Sequence, residues 1–297
     1  MNKIINGDAL SVLKKMKDNS INCVVTSPPY WGLRDYGVDG QLGLEKTFQE
    51  YINKLCNIFD EVKRVLKKDG TCWVNMGDTY GGGAGGYCPH ENEVGASKNQ
   101  IKRKSIGMEK SLCQIPSRFA IEMTDRGWIL RNELIWFKPN CMPSSASDRF
   151  TVDFEKIFFF VKNKKYFFEQ QFEKNLTVGD SCEDAGRITY GGKRNTSVYI
   201  NSNGRNKRCV WKITTQPYKE AHFATFPEKL IEVPIKAGCP EEGIVLDPFS
   251  GAGTTGAVAK RLNRSFIGIE LNSEYIKMAN KRIKYTLDGK GLKRWFK

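Results

Sequence analysis

The sequence predicts a doubly wound, mostly parallel α/β sheet with an inserted polar and basic region. Three observations carry this prediction. Apolar strand-like runs alternate with helix-period segments at both ends of the chain, and parallel strands require such crossovers. A glycine-rich turn, "DPFSGAGTTG", joins a strand to a helix in the C-terminal part. Between the two regular parts, Arg187 to Lys212 holds seven basic residues and no acid, with Tyr190, Tyr199 and Trp211 interleaved.

The elements follow in order. "DALSVLKKM" reads as a short helix and "INCVVT" as a buried strand that stops at two prolines, which cannot donate to a ladder. "TFQEYINKLCNIFDEVKRVLKKDG" places Phe48, Tyr51, Ile52, Leu55, Ile58, Phe59, Val62, Val65 and Leu66 on one helical face. Lys67 and Lys68 are expected in its last turn, with Gly70 as C-cap. "TCWVNMGD" is a strand. A glycine-rich, then polar, then basic stretch over 79–110 reads as a long mobile loop. "QIPSRFAIEMTDRG" is a helix, "WILRNELIWF" and "EKIFFFVKN" are strands, and "KKYFFE" is expected as a hairpin partner. The last part reads helix "PEKLIEVPIKAG", strand "GIVLDPF", helix "TTGAVAKRLN", strand "SFIGIEL" and helix "SEYIKMANKRIKY". One domain is expected from 1–163 and 213–297, with 164–212 inserted into it.

Composition narrows the class. The chain has 297 residues, 40% of them hydrophobic, enough for a sizeable core. Its formal charge of +14 points to a polyanionic partner, nucleic acid before an anionic membrane. The longest apolar run, near "IFFFV", is too short to span a bilayer, so no membrane is expected. Nine cysteines lie singly, with no CxxC pair and no secretory signal, which fits reduced thiols in the cytoplasm. Cys88 and His90 are too few to make a zinc site, and no metal is expected. Cys23 reads as a small core residue.

Gly251, Gly253 and Gly256 match G-x-G-x-x-G, and Glu270 closes the next strand about 20 residues later, where a carboxylate reaches ribose hydroxyls. A dinucleotide enzyme places this unit at the start of its domain with further strands behind it. Here the remaining strands must come from the N-terminal part. No lysine follows in the manner of a phosphate loop, which argues against a triphosphate. Asp247, before the turn, serves either as a cap or as a ligand-positioning group.

Ser27-Pro28-Pro29-Tyr30 alone could be a surface polyproline turn. Its place at a strand's carboxyl end, like that of the glycines, puts both motifs on one crevice. Together, "SPPY" and "FSGAG" resemble the amino-group DNA methyltransferases that use S-adenosylmethionine. Their order, base motif first and cofactor motif last, resembles the circularly permuted β group. "NGDAL" resembles the family's acidic cofactor motif, "IWFKPNCMPSSASDRF" its segment after the sixth strand, and "WKITTQPYKEAHFATFPEKLIE" its entry to the cofactor half.

The resemblance implies a Rossmann-like methyltransferase domain with a target-recognition insertion. It implies cofactor contacts from Asp8, Ala9, Thr26, His222, Thr225, Phe226, Asp247, Phe249, Gly251, Gly253, Thr254, Glu270 and Asn272. Asp8 would take the adenine amino group. It implies a flipped base held by Ser27, Pro28, Pro29 and Tyr30, and DNA contacts from Trp31, Lys138, Asn140, Arg194, Arg205 and Arg208. Trp31 is expected to line the base pocket. An exocyclic amino group is a poor nucleophile because its lone pair is delocalised. The Ser27 hydroxyl and the rigid Pro28 carbonyl are two preorganised acceptors for its N–H bonds. The expected reaction is direct transfer to the 4-amino group of cytosine in duplex DNA, with the 6-amino group of adenine as the alternative. A catalytically silent nucleic-acid-binding homologue and methylation of RNA or protein are rival readings. Double-stranded DNA is the expected partner, a cognate restriction endonuclease a further one, and the protein a monomer or homodimer.

Overall fold

A computed structural model describes residues 2–33, 35, 37–81, 108–174, 204–216 and 226–286. The core of the fold is an eight-stranded sheet in the order β1-β10-β9-β2-β3-β5-β4-β8. Its strands are β1 (Asn2–Asn6), β2 (Ile21–Thr26), β3 (Leu66–Met76), β4 (Ile129–Phe137), β5 (Phe154–Val161), β8 (Val210–Lys212), β9 (Ile244–Asp247) and β10 (Ser265–Glu270). Strands β6 (Phe172–Glu173) and β7 (Arg205–Asn206) form a separate antiparallel pair. The five strands from β1 to β3 in the sheet order are parallel, whereas β5 runs antiparallel to both of its neighbours.

Helices α1 (Ala9–Lys14), α2 (Phe48–Val65) and α3 (Ile115–Asp125) pack on one face, and α4 (Glu228–Gly238), α5 (Thr254–Arg261) and α6 (Ser273–Thr286) on the other. The central strands are apolar on both sides, as a doubly covered sheet requires. Val24, Phe158 and Phe160 enter the first layer, while Cys23, Val25, Ile157 and Phe159 enter the second. Helix α2 starts at Thr47, whose hydroxyl accepts from the Glu50 amide, and it buries the apolar face its periodicity predicts.

Several elements differ from the sequence expectation. Strand β1 is not among the elements the sequence predicts, because "NKIIN" offers only two apolar residues between polar ends. It gains its place as an edge strand by parallel pairing with β10. Helix α2 stops at Val65, so Lys67, Lys68 and Gly70 lie in β3. A side chain at Gly70 would collide with Leu66 and the Asn22 carbonyl, so this glycine serves a close approach and not a helix cap. "KKYFFE" is no hairpin partner: both edges of β5 are taken by β3 and β4. Instead the Phe167 and Glu169 amides donate to the Asp69 and Ala237 carbonyls. Val210–Lys212, placed inside the insertion, pairs with β4 as the last strand of the main sheet, and Trp211 is buried there.

Candidate active site

Strand β2 crosses over to β3 on one side, and β9 crosses over to β10 on the other. Their shared edge is therefore the point where the winding reverses, the place where open α/β sheets bind ligands. Beyond the carboxyl ends of these strands lies a cavity of about 920 Å³. Ser27, Pro28, Pro29 and Tyr30 form part of its wall. Asp8, Ala9, Phe226, Asp247, Phe249, Gly251, Thr254, Glu270 and Asn272 form another part, so most expected site residues converge.

One buried carboxylate ties the two strand ends together. Asp247 Oδ1 accepts from the Thr26 hydroxyl at 2.6 Å and from the Phe249 amide at 3.1 Å, and Oδ2 accepts from the Thr255 hydroxyl at 2.6 Å. Burial pushes its carboxyl up to about 6 despite these donors. Asp247 is thus both the turn-stabilising and the positioning group between which the sequence could not decide. Thr26 is not part of the cavity wall and acts through Asp247.

On the glycine turn, Gly251 adopts φ 49° and its missing Cβ faces open space, so backbone is presented to the cavity. Its amide donates to Glu270 Oε2 at 2.7 Å, and the Asn272 amide donates to Oε1 at 2.9 Å. Burial raises the Glu270 carboxyl above its ordinary range. Gly253 differs from expectation: it is absent from the wall, and a side chain there would strike Ala279 of α6 at 2.7 Å. Its glycine serves helix packing. Asp8 caps α1 through Oδ1, which accepts from the Ser11 amide at 2.8 Å. β1 and β10 are neighbours, with Asn6 opposite Glu270, so the two acids from opposite ends of the chain stand at adjacent strand ends.

The SPPY turn is held from a distance. Tyr51 of α2 donates its hydroxyl to the Pro29 carbonyl at 2.8 Å, whereas among the described residues no donor reaches the Pro28 carbonyl. The Tyr30 ring packs on Gly77, where a Cβ would come within 2.6 Å. Tyr30 Oη donates to Glu155 Oε2 at 2.8 Å and lies 3.3 Å from Ser27 Oγ and 3.4 Å from Asn75 Oδ1. Burial, then the Glu155 charge, holds the phenol well above its usual range. Lys138 Nζ pairs with Glu155 Oε1 at 2.5 Å. Glu155, Asn75, Lys138 and Asn140 all belong to the cavity wall.

Glu155 and Asn75 escape sequence reasoning. "FEKIFFFV" reads as a strand, and nothing in it says that its first acid meets a tyrosine 125 positions earlier. Trp31 is a correction: it is 3% exposed, sits edge-on to Phe48 and donates its indole N–H to the Glu45 carbonyl, so it is core and not pocket wall. Arg205 and Arg208 both pair with Glu173, at 2.9 and 2.6 Å. The acid-free run of the sequence thus finds its acid across the β6–β7 pair. His222, Thr225, Arg194, Cys88 and His90 lie outside the described residues. Among the described residues no helix is long and apolar enough to cross a membrane. Cys23 is fully buried, and burial first of all raises its thiol well above the ordinary range, in keeping with a core role.

Comparison with known proteins decides the family. A family model described as DNA methylase, covering N6 and N4 methyltransferases, matches residues 21–281. The chain belongs to this DNA methylase family. Among curated relatives, this methylase is 42% identical to type II methyltransferase M.XycI of Xanthomonas campestris pv. cyanopsidis, over 94% of this chain and 87% of that protein. It is 41% identical to M.Cfr9I of Citrobacter freundii over the same shares, and 40% identical to M.SmaI of Serratia marcescens over 95% and 90%. The fold matches PvuII DNA methyltransferase (cytosine-N4-specific) with a TM-score of 0.64 at 22% identity, over 95% of this chain and 86% of that one. It also matches the DNA modification methylase TTHA0409 of Thermus thermophilus complexed with S-adenosyl-L-methionine, with a TM-score of 0.59 at 21% identity over 97% of each chain. The amino-group methyltransferase reading of the two motifs and the permuted order of the sheet therefore hold.

Proposed function

We propose that this methylase transfers a methyl group from S-adenosyl-L-methionine to the exocyclic 4-amino group of cytosine, within a short recognition site in duplex DNA. The observation that carries the reading is the meeting of the SPPY and glycine turns on one cavity, joined by Asp247. Serine at the first motif position favours cytosine, and the fold neighbour titled cytosine-N4-specific supports the same choice. The type II methyltransferase relatives support a role in a restriction-modification system in the cytoplasm.

The residues present fit the cofactor. The bare backbone at Gly251, the aromatic Phe249, and the carboxylates of Asp8 and Glu270 stand around one end of the cavity. Both Glu270 oxygens accept backbone N–H groups, yet each keeps a lone pair for a ribose hydroxyl. Asp8 keeps its second oxygen for an adenine amino group. Phe226 and Phe249 suit the methionine part, since a sulfonium prefers aromatic faces to strong bases. When bound, the cofactor supplies a methyl carried on a sulfonium.

The target base leaves the duplex and stacks on Tyr30. Ser27 Oγ and the Pro28 carbonyl accept its two amino N–H bonds and turn the nitrogen lone pair toward the methyl. The nitrogen–carbon bond forms as the sulfur–carbon bond breaks, its electrons staying on sulfur, and one amino proton is lost to water. The segment around 164–212, with Arg194, Arg205 and Arg208, is the proposed target reader, and Lys138 and Asn140 the proposed DNA contacts at the cavity. The test is to express the wild type and Ser27→Ala in a host lacking related enzymes and to sequence its genome with modification detection. Methylated cytosines at one short motif, present only with the wild type, are expected. Methylated adenines would overturn the base, and an unmodified genome the activity.

A further inference from the structure

A serine hydroxyl is ambiguous where an acceptor is needed. It carries one proton and two lone pairs, and its rotor is free. An aspartate at this position would present lone pairs only. The surroundings of Ser27 remove the ambiguity. Glu155 as a carboxylate can only accept, so Tyr30, at 2.8 Å, must donate its single proton there. Lys138, also a pure donor, holds the other Glu155 oxygen at 2.5 Å and keeps the carboxylate ionised and in place. The Asn75 Oδ1 competes for the Tyr30 proton only at 3.4 Å, and the Asn75 amide is turned to the Lys156 carbonyl at 3.2 Å. With its proton committed, Tyr30 Oη is an acceptor toward Ser27, 3.3 Å away. The Ser27 proton then points at Tyr30, and the lone pairs of Ser27 Oγ are left for the cavity.

We propose that Glu155 is a positioning residue: through Tyr30 it fixes the polarity of Ser27, so that a neutral hydroxyl serves as a dedicated acceptor for the target amino group. The charge lies at the far end of a Ser27–Tyr30–Glu155 chain, where it strengthens each bond in turn. Glu155 side-chain exposure is 16%, so the carboxylate is screened little by solvent. Glutamine at this position reverses the chain. Its amide can donate to Tyr30 Oη, freeing the Tyr30 proton for Ser27 and sending the Ser27 proton into the cavity against an N–H.

The proposal rests on the reading of Ser27 as the acceptor, and the experiment separates the two. Single-turnover methyl transfer, with Kd for S-adenosyl-L-methionine and for DNA, is measured for the wild type, Ser27→Ala, Tyr30→Phe, Glu155→Gln, Glu155→Asp and the Tyr30→Phe/Glu155→Gln double variant. Tyr30→Phe keeps the stacking ring and Glu155→Gln keeps the shape, so both are expected to fold. Each is expected to slow transfer about 10- to 100-fold with both Kd values preserved, the loss of one hydrogen bond to a charged group. The double variant is expected to be no slower than the slower single, because both break one chain. Glu155→Asp, which keeps the charge, is expected to be faster than Glu155→Gln. Multiplying losses in the double variant, or wild-type rates in both singles while Ser27→Ala is inactive, would overturn the relay. A fully active Ser27→Ala would instead overturn the acceptor reading beneath it.

Discussion

The two turns that face each other across the cavity are built by different means. The glycine turn is held by its own backbone. Gly251 and Gly253 adopt positive φ, Gly253 lets α6 approach, and Glu270 ties down the Gly251 and Asn272 amides from the next strand. The SPPY turn is held by side chains that arrive from elsewhere: Tyr51 of α2 on the Pro29 carbonyl, Glu155 of β5 on Tyr30, and Gly77 after β3 against the Tyr30 ring. A cofactor turn needs only a fixed shape, which local residues can set. An acceptor pair needs a defined polarity, which here comes from a distant charge.

If this division is right, damage to the two turns separates cleanly. The largest effect is expected on the SPPY side. Ser27→Ala should lose about 10²–10³-fold in methyl transfer, the loss usual for one preorganised polar group, while calorimetry returns wild-type affinity for S-adenosyl-L-methionine. Reduced cofactor affinity in this variant would blur the division.

Asp247 belongs to both turns, and its effect is read in stability. Its carboxyl is raised to about 6 in the fold, against about 3.9 for an unperturbed aspartate. Between those values the native state holds the proton more tightly than the unfolded state does. Its contribution therefore favours folding at low pH and is lost as pH rises through about 6, a change of about 3 kcal/mol. Chemical denaturation of the wild type and Asp247→Asn at several pH values isolates this slope. The difference in stability should move toward the variant between about pH 4 and pH 6, and a constant difference would mean that Asp247 is ionised without penalty.

On the cofactor side, Asp8→Ala and Glu270→Ala should each weaken S-adenosyl-L-methionine binding about 10- to 100-fold, the range for one hydrogen bond to a charged group. Unchanged affinity in both folded variants would contradict their shared site at neighbouring strand ends. The smallest effect is expected outside both turns. An Arg194, Arg205 and Arg208 triple alanine variant should bind all DNA sequences more weakly, with a salt slope lower by roughly one for each phosphate left unneutralised. The Glu173 pairing of two of them limits the loss. Unchanged binding and discrimination would remove this segment from the reader.

The same division explains what could be read from the sequence. The α/β order, the apolar face of α2, and the strand ends carrying Ser27 and Gly251 follow from local periodicity and turn chemistry. Asp247 is visible in the sequence as a turn residue but not as a link, since Thr26 and Thr255 reach it only when β2 and β9 are neighbours. Glu155 is invisible there for the same reason. Trp31 misleads because an aromatic beside a site motif looks like a pocket wall, yet the chain turns at Gly32 and places it against Phe48. Gly253 misleads because one motif contains glycines with two purposes, cavity access and helix packing.

Incubating the purified protein with unmethylated DNA and S-adenosyl-L-methionine, then digesting to nucleosides for separation by mass spectrometry, tests the central claim most directly. An amino-methyl transfer set up by Ser27 and Pro28 predicts deoxycytidine methylated at its 4-amino group, with unmodified deoxyadenosine. Methylated deoxyadenosine alone would contradict the choice of base. Methylation at a ring carbon of cytosine would contradict the acceptor pair itself.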